Sequence, residues 1–416
     1  MVEKLRKIGF SKLTFLEDAL KKLFSHIKVS PIEVININDS LNRILAKDII
    51  SEIDVPPFDK SAMDGYAVIG EDTFGASQKS PKNLKLIGSI EIGESTDKKI
   101  NKGEAIRIST GAPIPEGSDA VIKIEDTEIE NNIIELYMAL TPGKNVAKAG
   151  EDIKKGTKVL SQGIELKAEH IALLASLGIK IIKVRAKPKI SVFASGDELI
   201  EIGAPLEPGK IYNSNTSMIT NLVKLYGGSI VRGITIKDNK ETLKLALKDA
   251  SKDSEIIIFT GGTSVGSKDY LPEIMQEMGS ILTHGIAMRP GSPLLIGKVK
   301  ESLVFCLPGT PVAAYIGFLV AVGPTIKKMM DCQIIDPRIV IKAILSKDVP
   351  TVSIGFTSYL RVKIKMVEDN FIAEPVRLKG SGIISSLTES DGIVEIPPFL
   401  EGLKRGEQVL VKLHPK

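Results

Sequence analysis

The chain lacks tryptophan and is poor in cysteine and aromatic residues: two cysteines and 5% Phe, Tyr and Trp among 416 residues. Cys306 and Cys332 alone exclude a disulfide framework and a cysteine-built zinc site, and they suit a reducing compartment. The four histidines, His26, His170, His284 and His414, are scattered and form no metal-ligand pair at helical spacing. An excess of either charge is also missing. The 55 basic and 51 acidic residues leave a formal net charge of +4, and no basic run is interleaved with aromatics, so no nucleic-acid partner is expected. Anion binding must then be local. The start, MVEKLRKIGF, is charged and has no apolar segment of the signal-peptide kind. An uncharged run covers residues 302–326, but Pro308, Gly309 and Pro311 interrupt it. It predicts a buried strand, a turn and a buried helix shorter than the ~20 apolar residues of a membrane span. A cytoplasmic protein with no membrane contact is the expectation.

What is present is length and alternation. The chain exceeds what one core supports, and about three domains is the starting estimate. Residues 14–26 place Phe15, Leu16, Ala19, Leu20 and Leu23 on one helical face, with Thr14 as N-cap. The stretch 54–68, DVPPFDKSAMDGYAV, reads as a constrained loop holding Asp59 and Asp64. From about Leu84 to Tyr137, short alternating segments predict a small antiparallel barrel or sandwich, with Thr110 at a strand end. A glycine-bounded loop at 141–157 carries Glu151 and Asp152 among lysines, and AEHIALLASLG predicts a helix closed by Gly178. Beyond Pro188, strands such as KISVFAS, SIVRGITI, EIIIFT and SLVFCL alternate with amphipathic helices, one capped near Asn213 or Ser214, which specifies a doubly wound, mostly parallel sheet. From about Asp331 alternating segments return, and a small β domain is expected.

In a doubly wound sheet, ligands bind beyond the carboxyl ends of the strands. Three such ends carry unusual loops: SGDEL at 195–199, GGTSVGSKD at 261–269 and LPGTP at 307–311. Gly261, Gly262 and Gly266 allow a backbone that aims N–H groups at an anion. In the third loop, Thr310 as cap and Pro311 at the first helical position make a clean helix start. Asp197, Glu198 and Asp269 add the carboxylates that hold a divalent cation against phosphate. No P-loop and no dinucleotide fingerprint is present. Gly262-Thr263-Ser264-Val265-Gly266 also matches a nucleophile elbow, but an esterase would need an acid and a histidine after it, and Asp269 and His284 are too cramped in spacing.

The motifs PPFDKSAMDGYAV, RISTGAPIPEGSDAVIKIEDT, AGEDI, ASGDEL, TGGTSVGSKDY, RPGSP, LPGTPVAA and GSGIISSLTESDGIVEIP, in this order, resemble the molybdopterin molybdenumtransferases, or MoeA family, relatives of the gephyrin E domain. The resemblance implies a multidomain α/β plus β fold. An elongated N-terminal α+β domain would comprise 1–50 and 142–184, an inserted β domain 51–141, a molybdopterin-binding doubly wound domain 185–330, and a barrel-like β domain 331–416. It implies an enzyme that inserts molybdate into adenylylated molybdopterin with Mg2+, hydrolyses the adenylate and releases AMP. It also implies an elongated homodimer, its cleft between the sheet domain of one subunit and the DGYA and barrel region of the other, with the adenylyltransferase upstream and molybdoenzymes downstream. Carried over by motif, Asp64, Thr110, Asp152, Glu198 and Asp269 are catalytic, and Glu198 and Asp269 hold the metal. Ser195, Gly196, Asp197, Gly261, Gly262, Thr263, Ser264, Gly266, Pro308, Gly309, Thr310 and Pro311 bind the adenylated pterin. Arg289, Ser292 and Arg361 are assigned to the oxyanion. The chain departs from the family pattern at Arg289 and Ser292, both usually lysine, and at Thr310, usually asparagine. Loss of one positive charge at Ser292 leaves tungstate open beside molybdate. A tungstate-inserting paralogue, a molybdopterin adenylyltransferase and a non-catalytic pterin-binding scaffold are the alternatives.

Overall fold

The computed structural model describes residues 13–262, 270–350, 354–377 and 380–415. Two compact units emerge: residues 47–162 with 168–180, and residues up to 46 with 163–167 and 181–416.

The first unit is built on a six-stranded sheet in the spatial order Ala120–Lys123, Gly65–Val68, Glu104–Ile108, Lys82–Ile90, Ile133–Leu136, Thr127–Glu130. The expected small β domain is there, but it is not wholly antiparallel, because Lys82–Ile90 and Glu104–Ile108 pair in parallel, and it has one addition. Gly65–Val68, read from sequence as part of a loop, is a fully buried central strand. A Cβ at Gly65 would lie 1.8 Å from the carbonyl oxygen of Ile122, so only glycine lets the neighbouring strand approach this closely.

The second unit holds the α/β sheet. Its strands are β1 (Lys189–Ser195), β2 (Ser229–Ile236), β3 (Ile256–Thr260), β4 (Ser280–His284), β5 (Leu295–Val299) and β6 (Ser302–Leu307), in the order β2-β1-β3-β6-β5-β4. The first four run parallel; β5 pairs antiparallel with β6, and the edge strand β4 pairs antiparallel with β5. The mostly parallel sheet is as expected, but the β4–β5 pair has no counterpart in the sequence reading. Helices α1 (Ser214–Leu225), α2 (Lys240–Ala250), α3 (Leu271–Met278) and α4 (Pro311–Gly317) connect and cover the sheet. Alternation along β3 divides it between two cores: Ile256 and Ile258 join Val223 and Phe305, whereas Ile257 and Phe259 join Leu243 and Ile274. Burial on both faces explains why β1, β3 and β6 read as apolar runs, and Phe193 stacks on Phe259 across them at 5.3 Å.

The uncharged run resolves into β6, a turn and a helix. After α4 the helix passes through a π-type turn at Phe318–Val322 and continues as Gly323–Met329. Its 19 residues are long and apolar enough to cross a membrane, yet 94% of the apolar window is buried inside the protein, as a core helix would be.

The N-terminal helix spans Leu16–Phe24 and buries Ala19 and Leu23 in the larger core, while Phe15 is exposed. Thr14 is not its cap: Phe15 occupies that position, and Thr14 instead donates its amide to the Gly285 carbonyl at 3.1 Å. Near the other end, Thr357–Val367, Asn370–Arg377, Val340–Leu345, Gln408–Leu413 and Gly392–Ile396 pair in a ring that closes through the first and last, the barrel-like domain expected from alternation.

Candidate functional site

Two clusters of the predicted residues form, one in each unit. In the second unit the parallel strands β1 and β3 lie side by side, and their connections leave in opposite directions, from β1 to β2 on one side and from β3 through α3 to β4 at the far edge on the other. Such a switch point opens a crevice at the carboxyl ends. Here the crevice is a cleft of about 790 Å³, lined by Ser195, Glu198, Gly261, Ser292 and the Pro308–Pro311 turn.

The three decorated strand ends meet there through close backbone packing. Gly261 has φ +91°, and a Cβ on it would come within 2.3 Å of the Ser195 carbonyl oxygen; a Cβ on Gly309 would touch the Gly261 Cα at 3.4 Å. The Gly261 amide donates to the Leu307 carbonyl at 3.2 Å. Ser195, 5% exposed, donates its hydroxyl to Asp238 Oδ1 at 2.9 Å, so the end of β2 adds a carboxylate that the motifs did not single out. The Glu198 carboxylate lies over Gly196, where a Cβ would meet Oε2 at 2.7 Å. Asp197 is exposed, and its carbonyl accepts from Lys210 Nζ at 2.7 Å. Gly262 stands beside the cleft, the place of its Cβ 3.2 Å from the Ser195 hydroxyl. Gly196, Asp197 and Gly262 are not among the lining residues. Thr263, Ser264, Gly266 and Asp269 lie outside the described residues.

At the start of α4, Thr310 holds the cap position but makes no side-chain cap bond. The Ser381 carbonyl instead accepts the Val312 amide at 3.0 Å, which takes one of the N–H groups the sequence had offered to an anion. Ser381 and Gly382 thereby join the cleft wall.

The oxyanion residues separate. Ser292 lines the cleft, with its hydroxyl donated to the Met288 carbonyl. Arg289 does not line it; its guanidinium sits over the Phe356 ring at 4.6 Å, immediately before the lining stretch Pro290–Pro293. Arg361 is 3% exposed within the closed barrel, where burial lowers its pKa and Nη2 donates to the Arg377 carbonyl at 3.4 Å. The structure does not bring Arg361 to the cleft. A buried position between two paired strands uses the guanidinium to satisfy backbone.

Asn213, Asn215 and Thr260 also line the cleft and were missed as site residues. Asn213 caps α1 by accepting the Thr216 amide at 3.1 Å, and its Nδ2 donates to the Thr235 hydroxyl at 2.8 Å. The Asn-Ser-Asn start of α1 carried the signal, but a cap pattern explains its first residue and says nothing of where the third points.

In the first unit the 54–64 loop that leads into the Gly65–Val68 strand, the Thr110 turn and the 148–153 loop converge. The Thr110 amide donates to Asp64 Oδ1 at 2.7 Å, and this bond, with the Thr110 hydroxyl, holds the exposed Asp64 carboxyl below the usual carboxylate range. Asp59 accepts from Lys148 Nζ at 2.7 Å and from the Ala149 amide at 2.8 Å, which lower its pKa in that order. It is thus a clasp between loops. Asp152 is exposed on the same loop, its amide donated to the Val55 carbonyl at 3.1 Å.

Among the described residues no group of three or more His, Cys, Asp or Glu side chains could enclose a metal. Magnesium asks for less, since it keeps several waters and takes one or two carboxylates with substrate phosphates. Glu198 at the cleft fits that demand.

Three family models together cover most of the chain: MoeA N-terminal region (domain I and II) over residues 14–178, probable molybdopterin binding domain over 191–328, and MoeA C-terminal region (domain IV) over 342–414. A molybdopterin biosynthesis protein of Methanocaldococcus jannaschii is 37% identical over 415 residues, 98% of this chain and 96% of that one. The molybdopterin molybdenumtransferase of Bacillus subtilis is 36% identical over 409 residues, 96% of this chain and 93% of that one. The crystal structure of a molybdopterin biosynthesis MoeA protein from Pyrococcus horikoshii superposes with a TM-score of 0.85 at 39% identity, covering 97% of this chain and 99% of the other.

Proposed function

The chain belongs to the MoeA family, and from that membership we propose that its cleft binds adenylylated molybdopterin, receives molybdate, and releases AMP as the adenylate is hydrolysed. It is a transferase of molybdenum cofactor biosynthesis. The observation that carries the fuller reading is the convergence of Ser195, Gly261 and the Pro308–Pro311 turn on one cleft with Glu198 at its side.

In this reading the backbone of the three strand-end loops orients the ligand, and the Ser195–Asp238 hydrogen bond fixes one wall. Glu198, with Asp269 beyond the described residues, would hold magnesium, which supplies charge neutralisation to phosphate oxygens when bound. Thr263, Ser264 and Gly266 belong to the phosphate cradle. Arg289 meets the oxyanion, with Ser292 beside it. The Asp64, Thr110 and Asp152 face acts on the cleft of a second copy in a homodimer, and the chain works in the cytoplasm between an adenylyltransferase and molybdenum-dependent enzymes. The four regions, 1–50 with 142–184, 51–141, 185–330 and 331–416, are the divisions this reading uses.

The test is incubation of the purified chain with adenylylated molybdopterin, Mg2+ and either molybdate or tungstate, with AMP release followed. Oxyanion-dependent AMP is expected. Its absence with both oxyanions would leave a pterin-binding scaffold as the function. Sedimentation velocity reads the assembly, and a monomer mass at micromolar concentration would remove the shared-site part.

A further inference from the structure

We propose that Asn215 and Thr260 form a hydrogen-bonding pair that reads an N–H-bearing heterocycle of the ligand in the cleft. This rests on the reading above that the cleft takes adenylylated molybdopterin.

Both residues line the cleft, and both are more than nine-tenths buried, Asn215 at 8% and Thr260 at 2% exposure. Each nevertheless keeps one buried oxygen without a hydrogen-bond partner among the described residues, Oδ1 of Asn215 and Oγ1 of Thr260. A buried, unpartnered polar atom loses its hydration with nothing in return, so folded proteins rarely retain one. Two in the wall of one cleft point to a partner that arrives with the ligand.

The chemistry of that partner follows from the Asn215 amide. Its Nδ2 donates to the Gly309 carbonyl at 2.7 Å. A carbonyl only accepts, so a flipped amide would set two oxygens against each other, and the orientation is settled. Asn215 therefore keeps an unpartnered acceptor within the cleft wall, and its missing partner is a donor. Thr260 supplies a hydroxyl that can donate or accept. Its strand end is one residue from Gly261, against which Gly309 packs, so the two oxygens belong to adjacent parts of the same wall. An acceptor beside a hydroxyl suits a ring edge bearing N–H next to a ring nitrogen or carbonyl. Two parts of the proposed ligand have such an edge: the aminopyrimidinone of the pterin and the amino-bearing ring of adenine.

Thr260→Val separates a ligand-reading role from a structural one, because it removes the hydroxyl at nearly constant shape and leaves no protein group unpaired. The ligand-free full-length variant is expected to melt at or above the wild-type temperature. Titration calorimetry with AMP and, separately, with molybdopterin is expected to show about tenfold weaker binding of one of them and little change in the other, as for one lost hydrogen bond. The ligand that weakens identifies the ring. Asn215→Ala should give the same selectivity, with a lower melting temperature because the Gly309 carbonyl loses its donor. Unchanged affinities in both variants, equal weakening of both ligands, or a lower melting temperature for Thr260→Val would overturn the pair. Failure of the wild-type chain to bind either compound would instead overturn the functional reading beneath it.

Discussion

A guanidinium can meet an oxyanion with its N–H edge while an aromatic ring covers its face, and the proposed role of Arg289 uses that division, its guanidinium lying 4.6 Å from the centre of Phe356. Arg289→Ala is expected to lower oxyanion-dependent AMP release by about 10²-fold or more, in line with the loss of one preorganised charge donor, while adenylylated molybdopterin still binds. Turnover equal to wild type would remove Arg289 from the reaction. At this scale the sequence was informative where a residue type has one use. Gly261 had to be glycine, and its φ of +91° and approach to Ser195 say why. It was uninformative where one residue type serves both fold and chemistry. Arg361 and Arg289 look alike in sequence, but pairing of Arg361 with Arg377 and Ile393 across the barrel sheet puts the first inside.

Strand ends and helix starts are where the elements become a site. The first residue before α1 does two things: Asn213 accepts the Thr216 amide and donates to Thr235 near the end of β2. Asn213→Ala should therefore cost more than the ~1 kcal/mol of a lost cap, because Thr235 also loses its donor. A lower urea midpoint at unchanged m-value is the expected result, and an unshifted midpoint would show that neither bond matters. Elements with a continuous apolar run or a 3.6 pattern were legible, as β1 and β3 show for the first and α1 and α2 for the second. Gly65–Val68 was not, because four residues following a proline-rich loop carry too little pattern. β4 and β5 were missed because such short strands are defined by their neighbours, β6 for β5 and β5 for the edge strand β4, and not by their own alternation.

Across the whole molecule, histidine burial sets a pH limit. His414 bridges Tyr315 and Ser390 at 2.8 and 2.9 Å, and burial lowers its pKa; burial does the same to His284. Both are neutral in the fold at neutral pH. The unfolded chain takes up these protons below about pH 6.5, so stability is full above that value and is lost as the pH falls toward the depressed folded values. The urea midpoint should drop between pH 7 and pH 5, and less so in His414→Gln; a flat midpoint would count against a neutral, bonded His414. The sequence by itself determined the layer architecture, since alternation of apolar strands and amphipathic helices admits few topologies. It also marked strand-end loops that meet at the cleft, because glycine, proline and carboxylate at strand ends have few other reasons to cluster. Only the tertiary structure decided which side chains share the cleft. Strand order brings Ser195, Thr260 and Gly309 together across more than a hundred residues of chain, and one hydrogen bond, from Asn215 to Gly309, fixes the amide of a helix residue with its oxygen left unpartnered in the cleft wall.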